Sequence, residues 1–143
     1  MESVDVKIKL LRSGARVPEK AMSGDICYDI FLPEDALLES RKVTSIGTGI
    51  AIEPEPGFGL LVRDKSSMVA KNITVHGGEI DNGYRGECRI MILNSNDEDV
   101  RVFKGQKIAQ VRPIRIRDIN WDVTDELSDT ERGNGGFGST GMY

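Results

Sequence analysis

The chain has 143 residues, a formal net charge of −4 and 38% hydrophobic residues, proportions expected of one soluble domain with room for a core. The negative balance argues against general nucleic-acid binding, which needs a broad basic footprint, and no apolar run approaches the ~20 residues that cross a bilayer. Cys27 and Cys88 lie far apart and match no metal-ligand spacing, and a single histidine, His76, argues against a His-based zinc site.

In chain order, Met1-Glu2-Ser3-Val4-Asp5 shows neither a basic segment nor an apolar one, so no secretory signal is expected. With two unpaired thiols this suggests a reducing compartment, cytoplasmic, or nuclear or cytoplasmic in a host if the source is viral. Residues 4–10 alternate apolar and polar side chains, the pattern of a half-buried strand. Further strands are expected over 28–32, 43–52, 59–62, 89–93, 100–103 and 107–116. Pro54, Pro56 and Gly57 punctuate the middle, and Gly77-Gly78 and Asn82-Gly83 predict turns. The one short helix is expected over 66–71, with a serine placed to cap it. Many short strands with regular turns predict a sandwich, barrel or jelly roll rather than βαβ units. Residues 1–116 then form an all-β core. Residues 117–131 carry six carboxylates against one arginine and leave it as an irregular arm that continues to 143.

Four stretches carry chemistry. Asp64-Lys65-Ser66-Ser67-Met68 opens the helix, where N–H groups and hydroxyls either bind an anion or make an ordinary cap. In Gly78-Glu79-Ile80-Asp81-Asn82-Gly83-Tyr84-Arg85-Gly86, an aspartate, an Asn-Gly turn and a tyrosine predict a hairpin with Asp81 and Tyr84 near its tip. The same residues serve a plain turn; the functional alternative is a carboxylate base beside a ring that covers a sugar or base. Gln110 alternates with Ile108 and is either a buried polar contact or a surface glutamine. Finally, Arg132 to Gly141 holds five glycines, too many for a helix or strand, together with Arg132, Phe137, Ser139 and Thr140. Those groups suit wrapping a planar, phosphorylated ligand. The glycines match neither a Walker loop nor a Rossmann turn, so the tail would act as a closing arm.

Taken in order, five segments resemble the five motifs of the trimeric dUTPase family: Tyr28-Asp29-Ile30, Ser66-Ser67-Met68, the stretch from Ile80 to Gly86, Gly105 to Gln110, and the glycine tail. The likeness covers about 115 of the 143 residues, and the ordered set is far more specific than any one motif. The resemblance implies a jelly-roll-like β-barrel subunit, a homotrimer with sites at subunit interfaces, and hydrolysis of dUTP to dUMP and diphosphate with Mg2+ on the triphosphate. It implies Asp81 as the base for the attacking water and Tyr84 against the deoxyribose. Backbone around Gly78, Glu79 and Ile80 would read uracil, and Lys65, Ser66, Ser67 and Gln110 would hold phosphates. Arg132, Phe137, Gly138, Ser139 and Thr140 would form a lid, with Phe137 on the uracil, and Asp29 would support the phosphate-binding groups. No direct protein ligand for the metal, no nucleic acid and no membrane are implied.

Three positions depart from the family pattern. Asp64-Lys65-Ser66 stands where Pro-Arg-Ser is usual, Lys107 where the fourth motif commonly has arginine, and Gly83 where the third often has a second aspartate. Lysine keeps the charge but loses the bidentate fork. A dCTP deaminase-like enzyme on the same fold and a nucleotide-binding module without turnover are the alternatives, the latter resting on Lys65 alone.

Overall fold

A computed structural model of the chain describes residues 2–138. In chain order the elements are β1 (Val6–Leu10), β2 (Tyr28–Phe31), β3 (Ala36–Leu38), β4 (Val43–Gly47), β5 (Ile50–Pro54), β6 (Phe58–Arg63), α1 (Ser66–Val69), β7 (Ile73–His76), β8 (Glu79–Ile80), β9 (Arg89–Asn94), β10 (Val100–Val102) and β11 (Lys107–Arg115). All pairings are antiparallel. They run β2-β11-β6-β8, β4-β9-β7, β1-β5 and β10-β3, so most neighbours in space are far apart in sequence. The result is the all-β, jelly-roll-like architecture expected, with one short helix. Ile30, Leu38, Ile73, Ile90, Ile92 and Ile108 sit at the centre of the main core, and Met68 plugs α1 into it. From Ile116 to Gly138 there is neither strand nor helix, and nearly every residue is exposed.

Three local expectations change. The run 43–52 is not one strand: it breaks at Thr48-Gly49, so that β4 pairs with β9 while β5 pairs with β1. Gly49 takes a φ of +74°, a left-handed conformation that glycine adopts without steric cost, and the chain changes sheets there. Thr48, fully buried, stabilises the break through its hydroxyl, which donates to the Cys88 carbonyl at 2.6 Å. The helix is shorter than expected and carries no serine cap. Lys65 occupies the cap position with extended backbone, and its side chain has no acceptor to offer the helix N–H groups.

The third change concerns Asp81 and Tyr84. They flank a turn, closed by the Tyr84 N–H on the Asp81 carbonyl at 3.1 Å, but not the tip of a hairpin. The strand before the turn, β8, pairs with β6 (Leu60 with Ile80, Leu61 with Glu79), whereas β9 joins β4 and β7. Neither Asn82 nor Gly83 has the positive φ that a two-residue type I′ hairpin turn requires. The reason is tertiary. The Asn82 amide donates to the carbonyls of Pro54, Glu55 and Phe58 at 3.2, 2.9 and 2.7 Å, which ties the turn to the β5–β6 connection.

Candidate active site

The four-stranded sheet sets out one half of the site. Asp29 on β2 lies opposite Gln110 on β11, and Gln110 lies opposite Arg63 on β6. Directly opposed residues of antiparallel strands share a face, so these three side chains form one row across three strands. Arg112, two residues beyond Gln110, joins them. With Ala21, Asp25, Ile26, Cys27, Asp64 and Lys65 they line an open cleft of about 600 Å³.

Asp29 is only 5% exposed, and both family departures at lysine converge on it: Lys65 Nζ binds Oδ1, and Lys107 Nζ lies 3.3 Å from Oδ2. Burial alone would raise the Asp29 pKa. The hydrogen bonds and charges of the two lysines outweigh it and hold the carboxyl below its usual range. The other acids of the cleft are committed too, with Asp64 accepting the Val75 N–H and Asp25 the Met22 N–H. Gln110 is half-buried and donates to the Asp64 carbonyl at 2.6 Å. Among the described residues, Arg63 and Arg112 pair with no carboxylate. Ser66 and Ser67 are exposed in the first turn of α1, beside Lys65.

The other half runs antiparallel to β6, from Gly78 beside Val62 to the turn that Asn82 ties to Phe58. Gly78, Glu79 and Ile80 line a second, smaller cavity of about 170 Å³ with Val62, Val75, His76, Gly77, Arg89, Ile90 and Met91. The Gly78 carbonyl already accepts the Val62 N–H at 2.6 Å, so less of this backbone is free than the sequence suggests. Asp81 is exposed, and among the described residues its carboxylate accepts no hydrogen bond. Tyr84 is 46% exposed, with its hydroxyl donating to the Glu87 carbonyl at 2.8 Å.

The turn that carries Asp81 and Tyr84 is set apart from the cleft along β6. Asn82 is bonded to Phe58, the first residue of β6, whereas Arg63, its last, lines the cleft. Five residue steps at roughly 3.3 Å each put about 17 Å of strand between them. The lid residues stand apart from both. Arg132 turns its Nε onto the Gly135 carbonyl of its own arm at 2.6 Å, and Phe137 and Gly138 are exposed. Ser139 and Thr140 lie outside the described residues.

Arg63 and Arg112 escape a reading by motif. The alternation of β11 from Gln110 points to Arg112, but Arg63 enters only through strand pairing, and the contact of Lys107 with Asp29 only through the fold.

An all-β scaffold with a cationic cleft sized for phosphates, and a free carboxylate beside an aromatic ring at a separate turn, has the equipment of a nucleotide hydrolase. The comparisons agree. The dUTPase family model matches residues 13–141. The deoxyuridine 5′-triphosphate nucleotidohydrolase of Clostridium acetobutylicum is 40% identical over 97% of this chain and 98% of its own length. That of Clostridioides difficile is 41% identical over 96% of this chain and 99% of its own. Among solved structures, a Staphylococcus bacteriophage 80alpha dUTPase mutant with dUpNHpp superposes with a TM-score of 0.88 at 28% identity, covering 96% of this chain and 99% of that one. The chain belongs to the dUTPase family, and its activity is that of a dUTP diphosphatase.

Proposed function

We propose that the chain cleaves dUTP between the α- and β-phosphates, releasing dUMP and diphosphate, at sites assembled from different copies of itself. The observation that carries this reading is the separation along β6. A water held by Asp81 must reach the α-phosphorus, while the cleft takes the neighbouring phosphates only a few ångströms further on. Two ends of one strand about 17 Å apart cannot serve both. A second copy that brings its cleft to the first copy's turn satisfies the geometry, and a homotrimer, the assembly the family resemblance implies, closes that arrangement on itself.

Asp81 orients the attacking water and takes its proton. A carboxylate is a weak base, so most of the rate comes from positioning and charge stabilisation at phosphorus. Lys65, Ser66, Ser67 and Gln110 hold phosphate oxygens. Arg63 and Arg112 add the guanidinium forks that lysine at positions 65 and 107 lacks. Asp29 keeps both lysines in place. Backbone at Gly78, Glu79 and Ile80 receives the uracil, and Tyr84 packs against the deoxyribose. Arg132, Phe137, Gly138, Ser139 and Thr140 close over the nucleotide, expelling water and strengthening charge contacts beneath them.

The donor set fits Mg2+ carried by the substrate. The cleft's carboxylates are bonded to protein donors, and among the described residues no three His, Cys, Asp or Glu groups gather as ligands. The ion would supply charge neutralisation on the phosphates of a substrate that shares the protein's negative sign. Such an enzyme limits uracil in DNA and supplies dUMP for thymidylate synthesis. The direct test is diphosphate release from dUTP, dCTP, dTTP and UTP with and without Mg2+. Magnesium-dependent release from dUTP above all others is the expected result, and ammonia from dCTP or binding without turnover would overturn it.

A further inference from the structure

Tyr84 is placed by residues that lie outside the motif containing it. Its ring folds back over Gly86, so closely that a Cβ built there would lie 2.6 Å from the phenol oxygen. The hydroxyl ends on the Glu87 carbonyl at 2.8 Å. The position of the ring therefore depends on where the backbone at 86–87 is held.

That backbone is anchored through the Glu87 side chain. Its Oε2 accepts from Arg12 Nη1 at 2.7 Å and from the Gly49 N–H at 2.9 Å, and its Oε1 stands 3.6 Å from Arg89 Nη1. Arg12 also lies 3.4 Å from Glu34 and donates to the Gly47 carbonyl at 3.5 Å. One half-buried carboxylate thus joins the segment after β1, the β4–β5 break and the start of β9. The hydrogen bond from Arg12 outweighs burial and holds the Glu87 carboxyl below its usual range, so the pair stays charged at neutral pH. The next residue is fixed as well: the Cys88 N–H donates to Ile50 at 2.8 Å, and its carbonyl accepts from Thr48.

We infer that the Arg12–Glu87 pair is a positioning device for Tyr84, and so helps set the preference for a deoxyribose over a ribose. This rests on the proposed role of Tyr84 as the sugar wall. A wall built only from apolar surface rejects an added hydroxyl weakly, by about 100-fold. Selection therefore depends on the ring being unable to yield, and Arg12 and Glu87 supply that stiffness without touching the nucleotide.

The test measures kcat and KM for dUTP and UTP in the parent and in Arg12→Ala, Arg12→Lys, Glu87→Gln, Tyr84→Phe and Tyr84→Ala, with oligomeric state and melting temperature recorded for each. Arg12 is partly exposed, so its variants report even where a Glu87 variant fails to fold. The ratio of kcat/KM for dUTP over UTP should fall about threefold to tenfold in Arg12→Ala, through KM more than kcat, and return partly in Arg12→Lys. Combining Arg12→Ala with Tyr84→Phe should lower the ratio by less than the product of the single effects, because both act on one tether. A folded Arg12→Ala with an unchanged ratio, while Tyr84→Ala narrows it, would overturn the positioning role alone. An unchanged ratio in Tyr84→Ala would remove the sugar-wall reading and this inference with it.

Discussion

The two ends of β6 are held by different means. At the Arg63 end the scaffold is ionic, with a buried carboxylate, Asp29, clamped between Lys65 and Lys107. At the Phe58 end one amide, Asn82, donates to three backbone carbonyls, Arg85 donates to the Asn82 carbonyl and pairs with Glu53, and among the described residues the nearby Asp81 carboxylate accepts no hydrogen bond. The glycine arm has neither kind of anchor on the sheet among its described side chains.

The sharpest way to separate the ends is to disable each. Asp81→Asn should lower kcat by roughly 10²–10⁴-fold, the range of one proton-transfer group, while leaving the dUTP dissociation constant nearly unchanged. Equilibrium binding beside single-turnover kinetics reads both quantities, and near-normal turnover would remove Asp81 as the base. Truncation before Arg132 should follow, with kcat down on the order of 100-fold and the oligomer intact by light scattering. Normal turnover in that truncation would dismiss the lid.

A smaller effect is expected for Asn82→Ala. It removes the donor shared by three carbonyls, of which Glu55 keeps the Phe58 N–H, and should cost about 1–3 kcal/mol in chemical denaturation, with kcat falling as the turn loosens. A change confined to stability would mean that Asp81 does not depend on this anchor. The smallest effect concerns pH. Asp29 has a folded pKa below its unfolded value of ~3.9, so its pairing contributes stability above that pH, and the contribution fades as pH drops toward the folded pKa. Asp29→Asn should therefore be less stable at neutral pH and show a flatter acid limb in melting temperature. An identical acid limb would indicate that the ion pairs contribute nothing.

Much of this was legible in order along the chain, less of it in space. Gln110 and the Asp81–Tyr84 turn stand out by type and spacing, Asp29 enters through the family resemblance, and β11 announces itself as a long alternating run. What spacing cannot reveal is partnership. Asp29 and Gln110 are directly paired although 81 positions apart, and only that pairing with Arg63 builds the cleft. The same limit explains the missed break at Gly49. A β-branched run from 43 to 52 satisfies one strand locally, and the switch of sheets comes from contacts with β1 and Cys88. Asn82 looked like a hairpin residue because Asn-Gly favours tight turns; three carbonyls from another segment redirected it. Strands β3, β7 and β8 were not expected as separate strands: β7 and β8 flank the Gly77-Gly78 turn, and β3 is a three-residue strand set by its pairing with β10.

The claim that one site needs two copies is open to a direct complementation measurement. Gln110→Ala disables the cleft and Asp81→Asn disables the turn, so each homogeneous oligomer should be impaired. Co-expressed in equal amounts, the two chains should regain diphosphate release. Roughly a quarter of randomly assembled sites would combine an intact cleft from one chain with an intact turn from another. If each chain built its own site, every site in the mixture would carry one lesion, and activity would stay at the mean of the two single variants.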